Sequence, residues 1–117
     1  IKTNEGAIEA EYVIVASGTK PKTIENIVSP DSGIDRVYHD VYPIRDIEGK
    51  KVVIIGAGDA AFDYALNLAK KNEVMILNRS EEPCCAPHLW EKALANESIW
   101  YYQNVKVLPP CEFKETN

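Results

Sequence analysis

Apolar residues in this chain gather into short runs parted by polar turns, and the spacing inside each run predicts an element. Val52-Val53-Ile54-Ile55 is an unbroken β-branched run, the pattern of a parallel strand buried on both faces. Beyond a glycine-containing break, Phe62, Ala65, Leu66 and Ala69 recur at helical spacing. A second run, Val74-Met75-Ile76-Leu77, ends on the polar pair Asn78-Arg79. Pro87 suits the first turn of a further helix carrying Leu89, Trp90, Ala93 and Leu94. Val105 to Leu108 predicts a third short strand, stopped by Pro109-Pro110. Upstream, Ile8 to Ala16 passes from alternation to a continuous run, which predicts a strand entering a sheet. The turn signal Asn4-Glu5-Gly6 before it predicts a hairpin. Residues 21–49 scatter Pro21, Pro30, Gly33, Pro43 and Gly49 among isolated apolar positions and read as an irregular connector.

The break between the first strand and the first helix carries chemistry. Gly56-Ala57-Gly58-Asp59-Ala60-Ala61 is G-x-G-x-x-A at a strand-to-helix junction, the context that gives this pattern its meaning. Gly56 allows a tight turn, Gly58 lets backbone approach a pyrophosphate, and Ala61 permits close helix–strand packing. The free N–H groups and dipole of a helix start favour an anion there. Asp59 is expected to be the N-cap. At the next strand end stand Asn78, Arg79 and Ser80, with no carboxylate before Glu81. An acid at this place serves the ribose hydroxyls of NAD, whereas arginine serves the 2′-phosphate of NADP. NADP is therefore favoured over NAD, with Arg79 reaching the phosphate and Ser80 donating. The bland alternatives are a glycine turn that binds nothing and a solvated surface arginine.

Composition narrows the classes. The 117 residues suit one modest domain, and 45% hydrophobic with 26% charged residues is ordinary for a globular chain. A net charge of −5 with no basic run argues against nucleic acid as a partner. No apolar stretch approaches the roughly 20 residues of a membrane helix, and no signal peptide is visible. A soluble, cytoplasmic protein is expected. The chain has no initiating Met and reads as a piece of a longer polypeptide. Cys84, Cys85 and Cys111 offer neither metal spacing nor C-x-x-C, and free thiols are expected over a strained vicinal disulfide. Trp90, Trp100, Tyr101 and Tyr102 are expected to pack on the sheet and not on a cofactor. His39 and His88 have no partner at a telling spacing, so no catalytic residue is assigned.

Two motifs in order point to a family. Val13-Ile14-Val15-Ala16-Ser17-Gly18-Thr19-Lys20-Pro21 resembles the A-T-G-x-x-P strand end of FAD-dependent pyridine-nucleotide oxidoreductases, with Ser17 in place of Thr. About thirty residues on, I-G-A-G-D-A-A-F-D-Y-A-L-N-L is similar to the second glycine motif of the thioredoxin-reductase group, Asp59 and Asp63 falling at its polar and acidic positions. Val105 to Glu115 is similar to that group's third strand and the start of the following hairpin. The redox C-x-x-C of thioredoxin reductase is absent where this chain reads Val37 to Tyr42. The layout is nearer the thioredoxin-reductase-like ferredoxin–NADP reductases. The group's H-R-R-x-x-x-R phosphate clamp is reduced here to Asn78-Arg79-Ser80, with Cys84 at the last arginine's position.

The resemblance implies an α/β fold: a Rossmann-like parallel sheet, the incomplete NAD(P)-binding unit of a flavoprotein with two dinucleotide-binding domains. Residues 1–20 would end the FAD-domain strand, 21–49 would connect, and 50–117 would be a partial NAD(P)-binding domain. Gly56, Gly58, Asp59, Ala60 and Ala61 would cradle the pyrophosphate, and Asn78, Arg79 and Ser80 would face the adenine ribose. Ser17 and Gly18 would sit at the domain junction. The full-length protein would pass hydride from NAD(P)H to FAD and on to a protein or small acceptor, with a homodimer as its expected assembly. The isolated chain is expected to be inactive. Two other readings stay open: a true disulfide reductase with its dithiol elsewhere, and a non-catalytic nucleotide sensor.

Overall fold

The computed structural model describes residues 1–18 and 37–107. In the amino-terminal stretch the expected hairpin forms: β1 (Lys2–Thr3) pairs antiparallel with β2 (Gly6–Ala7). The strand expected over 8–16 does not form. Tyr12, Ile14 and Val15 are 89%, 91% and 82% exposed. Among the described residues no hydrogen bond joins 1–18 to 37–107, so this apolar run has no sheet to enter. An unpaired strand leaves its backbone groups to water, and propensity alone does not hold it extended.

The second stretch is a parallel α/β unit. β3 (Lys51–Ile55), α1 (Asp59–Leu68), β4 (Glu73–Leu77), α2 (Pro87–Leu94) and β5 (Ile99–Tyr102) follow in order. The strands lie β3-β4-β5, both pairs parallel, with Val52↔Val74↔Ile99 and Ile54↔Ile76↔Tyr101 in register. Each crossover steps the same way across the sheet, so helices of one hand fall on one face. Accordingly α1 and α2 pack on each other. Between them and the sheet Phe62, Val74 and Ile76 are fully buried, with Ala65, Leu68, Leu89 and Ala93 around them. Phe62, Trp90 and Tyr101 form an aromatic triangle, with centroids 5.8, 4.7 and 6.2 Å apart. A short 3₁₀ turn, Tyr42–Ile44, brings Val41, Ile44 and Ile47 against the same core.

Four expectations change. β3 is not buried on both faces: Val52 and Ile54 are half-buried, while Val53 and Ile55 remain 49% and 43% exposed because no helix among the described residues covers their side. The third strand is Ile99–Tyr102, not Val105–Leu108. Its aromatic alternation turns Ile99 and Tyr101 to the core and leaves Trp100 and Tyr102 exposed, so of the four aromatics only Trp90 and Tyr101 pack on the core. Residues 105–107 are irregular, and Leu108 lies outside the described residues. In α2, Leu94 points outward at 60% exposure.

Two asparagines close β4, one at each end. Asn72, 6% exposed, donates through Nδ2 to the carbonyls of Ile47 and Leu68, both at 2.9 Å, and its Oδ1 accepts from Lys50 N at 3.0 Å. Asn78, equally buried, does the corresponding work at the carboxyl end. Buried amides of this kind are tolerated because every N–H and the carbonyl find partners.

Candidate functional site

The carboxyl edge of an open parallel sheet is where ligands lodge in doubly wound folds. Every candidate of the second stretch falls on that edge, because β3 and β4 both end there. Gly56 follows β3 with φ +116°, a conformation that L side chains rarely adopt, and its N–H donates to Leu77 O at 2.9 Å. The chain then turns sharply into α1. Gly58, extended at φ −90° and ψ 179°, is the N-cap residue, with no side-chain cap. Asp59 is therefore the first helical residue and not the expected cap. Its carboxylate Oδ1 is taken by Ala86 N at 2.7 Å, at the start of α2. That bond ties the 80–86 loop to the glycine turn.

The first intrahelical bond runs from Phe62 N to Gly58 O at 3.3 Å. The amides of Asp59, Ala60 and Ala61 thus have no acceptor within the helix; that of Asp59 faces Cys84 O across the parallel bridge at Gly58, and those of Ala60 and Ala61 are available to an anion. A Cβ built on Gly58 would meet nothing nearer than Cys84 O at 3.9 Å, an ordinary contact. The protein's own packing does not demand a glycine there, and the open backbone fits the approach of a pyrophosphate. Beside it, Cys84 N donates to Ala57 O at 2.9 Å and Cys84 bridges Gly58, so the 80–86 loop walls one side of the turn. Cys84 is exposed and Cys85 half-buried, both free thiols. Burial first, then the charges of Asp59 and Cys84, push the Cys85 thiol up, partly offset by a backbone bond at Trp90.

At the end of β4, Arg79 and Ser80 are exposed beside the glycine turn. Among the described residues Arg79 is held by no ion pair. Asn78 is brought to the same edge but faces inward. Nδ2 donates to Glu82 O at 2.9 Å and to Tyr101 Oη at 2.8 Å, and Oδ1 accepts from Ser80 N at 3.1 Å. Both of its donors are engaged within the protein, so it has none to offer the ribose it was expected to face. The Asx turn from Asn78 to Ser80 is the signal that could have shown this in sequence. Ser17 and Gly18 are exposed; Thr19, Lys20 and Pro21, the rest of their motif, lie outside the described residues. Among the described residues no group of three or more His, Cys, Asp or Glu is placed to hold a metal, and no helix is long and apolar enough to cross a membrane.

A parallel α/β unit with a glycine turn at its carboxyl edge is the geometry of Rossmann-type domains, and comparison with known proteins agrees. The crystal structure of Lactococcus lactis thioredoxin reductase matches it with a TM-score of 0.52 at 21% identity, over 55% of this chain and 22% of that one, which speaks to the fold. The family model for pyridine nucleotide-disulphide oxidoreductases matches residues 1–113, and the chain belongs to that family. Ferredoxin–NADP reductase from Ehrlichia canis is 27% identical over 122 aligned positions, covering 98% of this chain but 35% of that protein. Ferredoxin–NADP reductase 1 from Sulfolobus acidocaldarius is 33% identical over 88, covering 70% of this chain and 26% of its own length. The chain thus spans about a third of the first of these relatives and less of the second.

Proposed function

We propose that residues 50–107 bind the pyrophosphate and adenine ribose of NADPH for a flavin-dependent reductase. The observation that carries this is the left-handed Gly56 leading into a helix start with free amides, with Arg79, exposed and in no ion pair among the described residues, one strand away. Gly56 makes the turn, Gly58 leaves backbone open, and the amides of Ala60 and Ala61 at the helix start receive the pyrophosphate. Arg79 and Ser80 take the 2′-phosphate. When bound, the dinucleotide supplies hydride to the FAD of the full-length protein, and from there electrons pass to an acceptor. Relatives named ferredoxin–NADP reductase favour a protein acceptor. The adjacent Cys84-Cys85 pair is not the C-x-x-C of a dithiol centre, which favours this reading over disulfide reduction. Ser17 and Gly18 belong to the flavin side of the junction.

Calorimetric titration with NADPH and NADH, on the chain and on Arg79→Ala, tests the reading. A charge-assisted phosphate contact is worth about 1.5–3 kcal/mol, so Arg79→Ala should weaken NADPH by about tenfold or more. NADH should hardly change. Equal loss of both nucleotides would remove Arg79 from the ribose pocket.

A further inference from the structure

Asn78 occupies the position where a ribose-binding side chain is expected, yet all its polar groups are committed inside the protein. Besides the three side-chain bonds, its backbone N–H donates to Tyr102 O at 2.8 Å and its carbonyl accepts from Val105 N at 2.9 Å. Ser80 is held from two directions, its N–H by Asn78 Oδ1 and its carbonyl by Asn104 N at 3.1 Å. Asn104 reaches that carbonyl from a left-handed conformation, φ +56°, which asparagine tolerates. Glu82 O is held by Asn78 Nδ2. The loop 79–82 is therefore pinned ahead of Arg79 by the backbone bonds of Asn78 and beyond it by that residue's buried carboxamide, which holds Ser80 and Glu82. The orientation of that carboxamide is fixed in turn by the Tyr101 hydroxyl, whose ring is anchored between Phe62 and Trp90.

We propose that Asn78 and Tyr101 are positioning residues that set the preference for NADPH by fixing the loop carrying Arg79, without touching the nucleotide. This rests on the dinucleotide reading above. Arg79 is long and exposed, and ordering such a side chain on a ligand costs about 0.5–1.5 kcal/mol. A pinned loop removes part of that cost for the nucleotide that uses the arginine and none for the one that does not.

Tyr101→Phe keeps the ring in its aromatic contacts and removes only the hydroxyl. Titrated with NADPH and NADH, it should bind NADPH about three- to tenfold more weakly, the fold-change of that ordering cost, and NADH within about twofold of the parent chain. In an Arg79→Ala background the same change should leave both affinities where they are. Tyr102→Phe, on the open face, should be silent, and melting curves taken alongside read any general loss of fold. Equal weakening of both nucleotides, or a Tyr101→Phe effect that persists without Arg79, would overturn the positioning role. A parent chain that binds both nucleotides with Tyr101→Phe silent would overturn this proposal alone. A parent chain that binds neither would overturn the dinucleotide reading and the proposal with it.

Discussion

At the scale of single residues, partners decide what a side chain can do more than residue type does. Asn72 and Asn78 bracket β4 with the same set of bonds, two donated and one accepted. In sequence, the second reads as a ligand contact because it sits at a strand end, and only its Asx turn to Ser80 betrays the inward role. Asp59 shows the same displacement: its position suggests a cap, but the 2.7 Å bond to Ala86 N makes it a link between loops. The cysteines give a measurable consequence. Burial and the charges of Asp59 and Cys84 hold the Cys85 thiol up, so less thiolate is present at a given pH than on an ordinary cysteine. With Cys111→Ser in place, iodoacetamide near pH 8 should label the exposed Cys84 first and Cys85 last, as peptide mapping would read. Asp59→Asn should speed Cys85 labelling modestly, because burial, the larger cause, remains. Labelling of Cys85 as fast as Cys84 would contradict the environment described.

Among the elements, legibility follows from how each one is stabilised. β3, α1 and β4 were readable because their apolar residues meet a local period, and α2 because Pro87 marks its first turn. β5 was hidden: Ile99 to Tyr102 alternates aromatic residues just past a helix, and only pairing with β4 makes it a strand. The run at 8–16 is the reverse case, strand-like in composition and unpaired among the described residues. The glycine turn was legible as a motif, but the wall built by Cys84 and Ala86 depends on contacts between positions some 26 residues apart. Phe62 is the residue on which these elements converge, from α1 onto Trp90 of α2 and Tyr101 of β5. Phe62→Ala should cost about 3–5 kcal/mol, since a fully buried ring leaves a cavity. Leu66→Ala, on the half-buried flank of the same helix, should cost clearly less. Urea melts showing the two costs equal would mean the core is not centred on Phe62.

For the whole molecule, the same-direction crossovers put both helices on one face, and among the described residues none covers the other face of the sheet. Two apolar rows cross it in register, Val53-Met75-Trp100 and Ile55-Leu77-Tyr102. Val53, Ile55, Trp100 and Tyr102 are between 42% and 49% exposed, while Val74, one register step from Val53 on β4 and facing the helices, is fully buried. Valine and threonine are near-isosteric and both β-branched, so one substitution on the two faces isolates the effect of environment. Val74→Thr places a hydroxyl among apolar side chains and should cost about 1–3 kcal/mol. Val53→Thr meets water and should stay within about 0.5 kcal/mol, as surface changes do. It should also lower the binding of a hydrophobic dye, because it breaks one of the rows. Chemical denaturation of the two variants measures the contrast directly. If Val53→Thr proved as costly as Val74→Thr, the open face would be covered in solution, and the one-sided arrangement of helices would not describe the chain there.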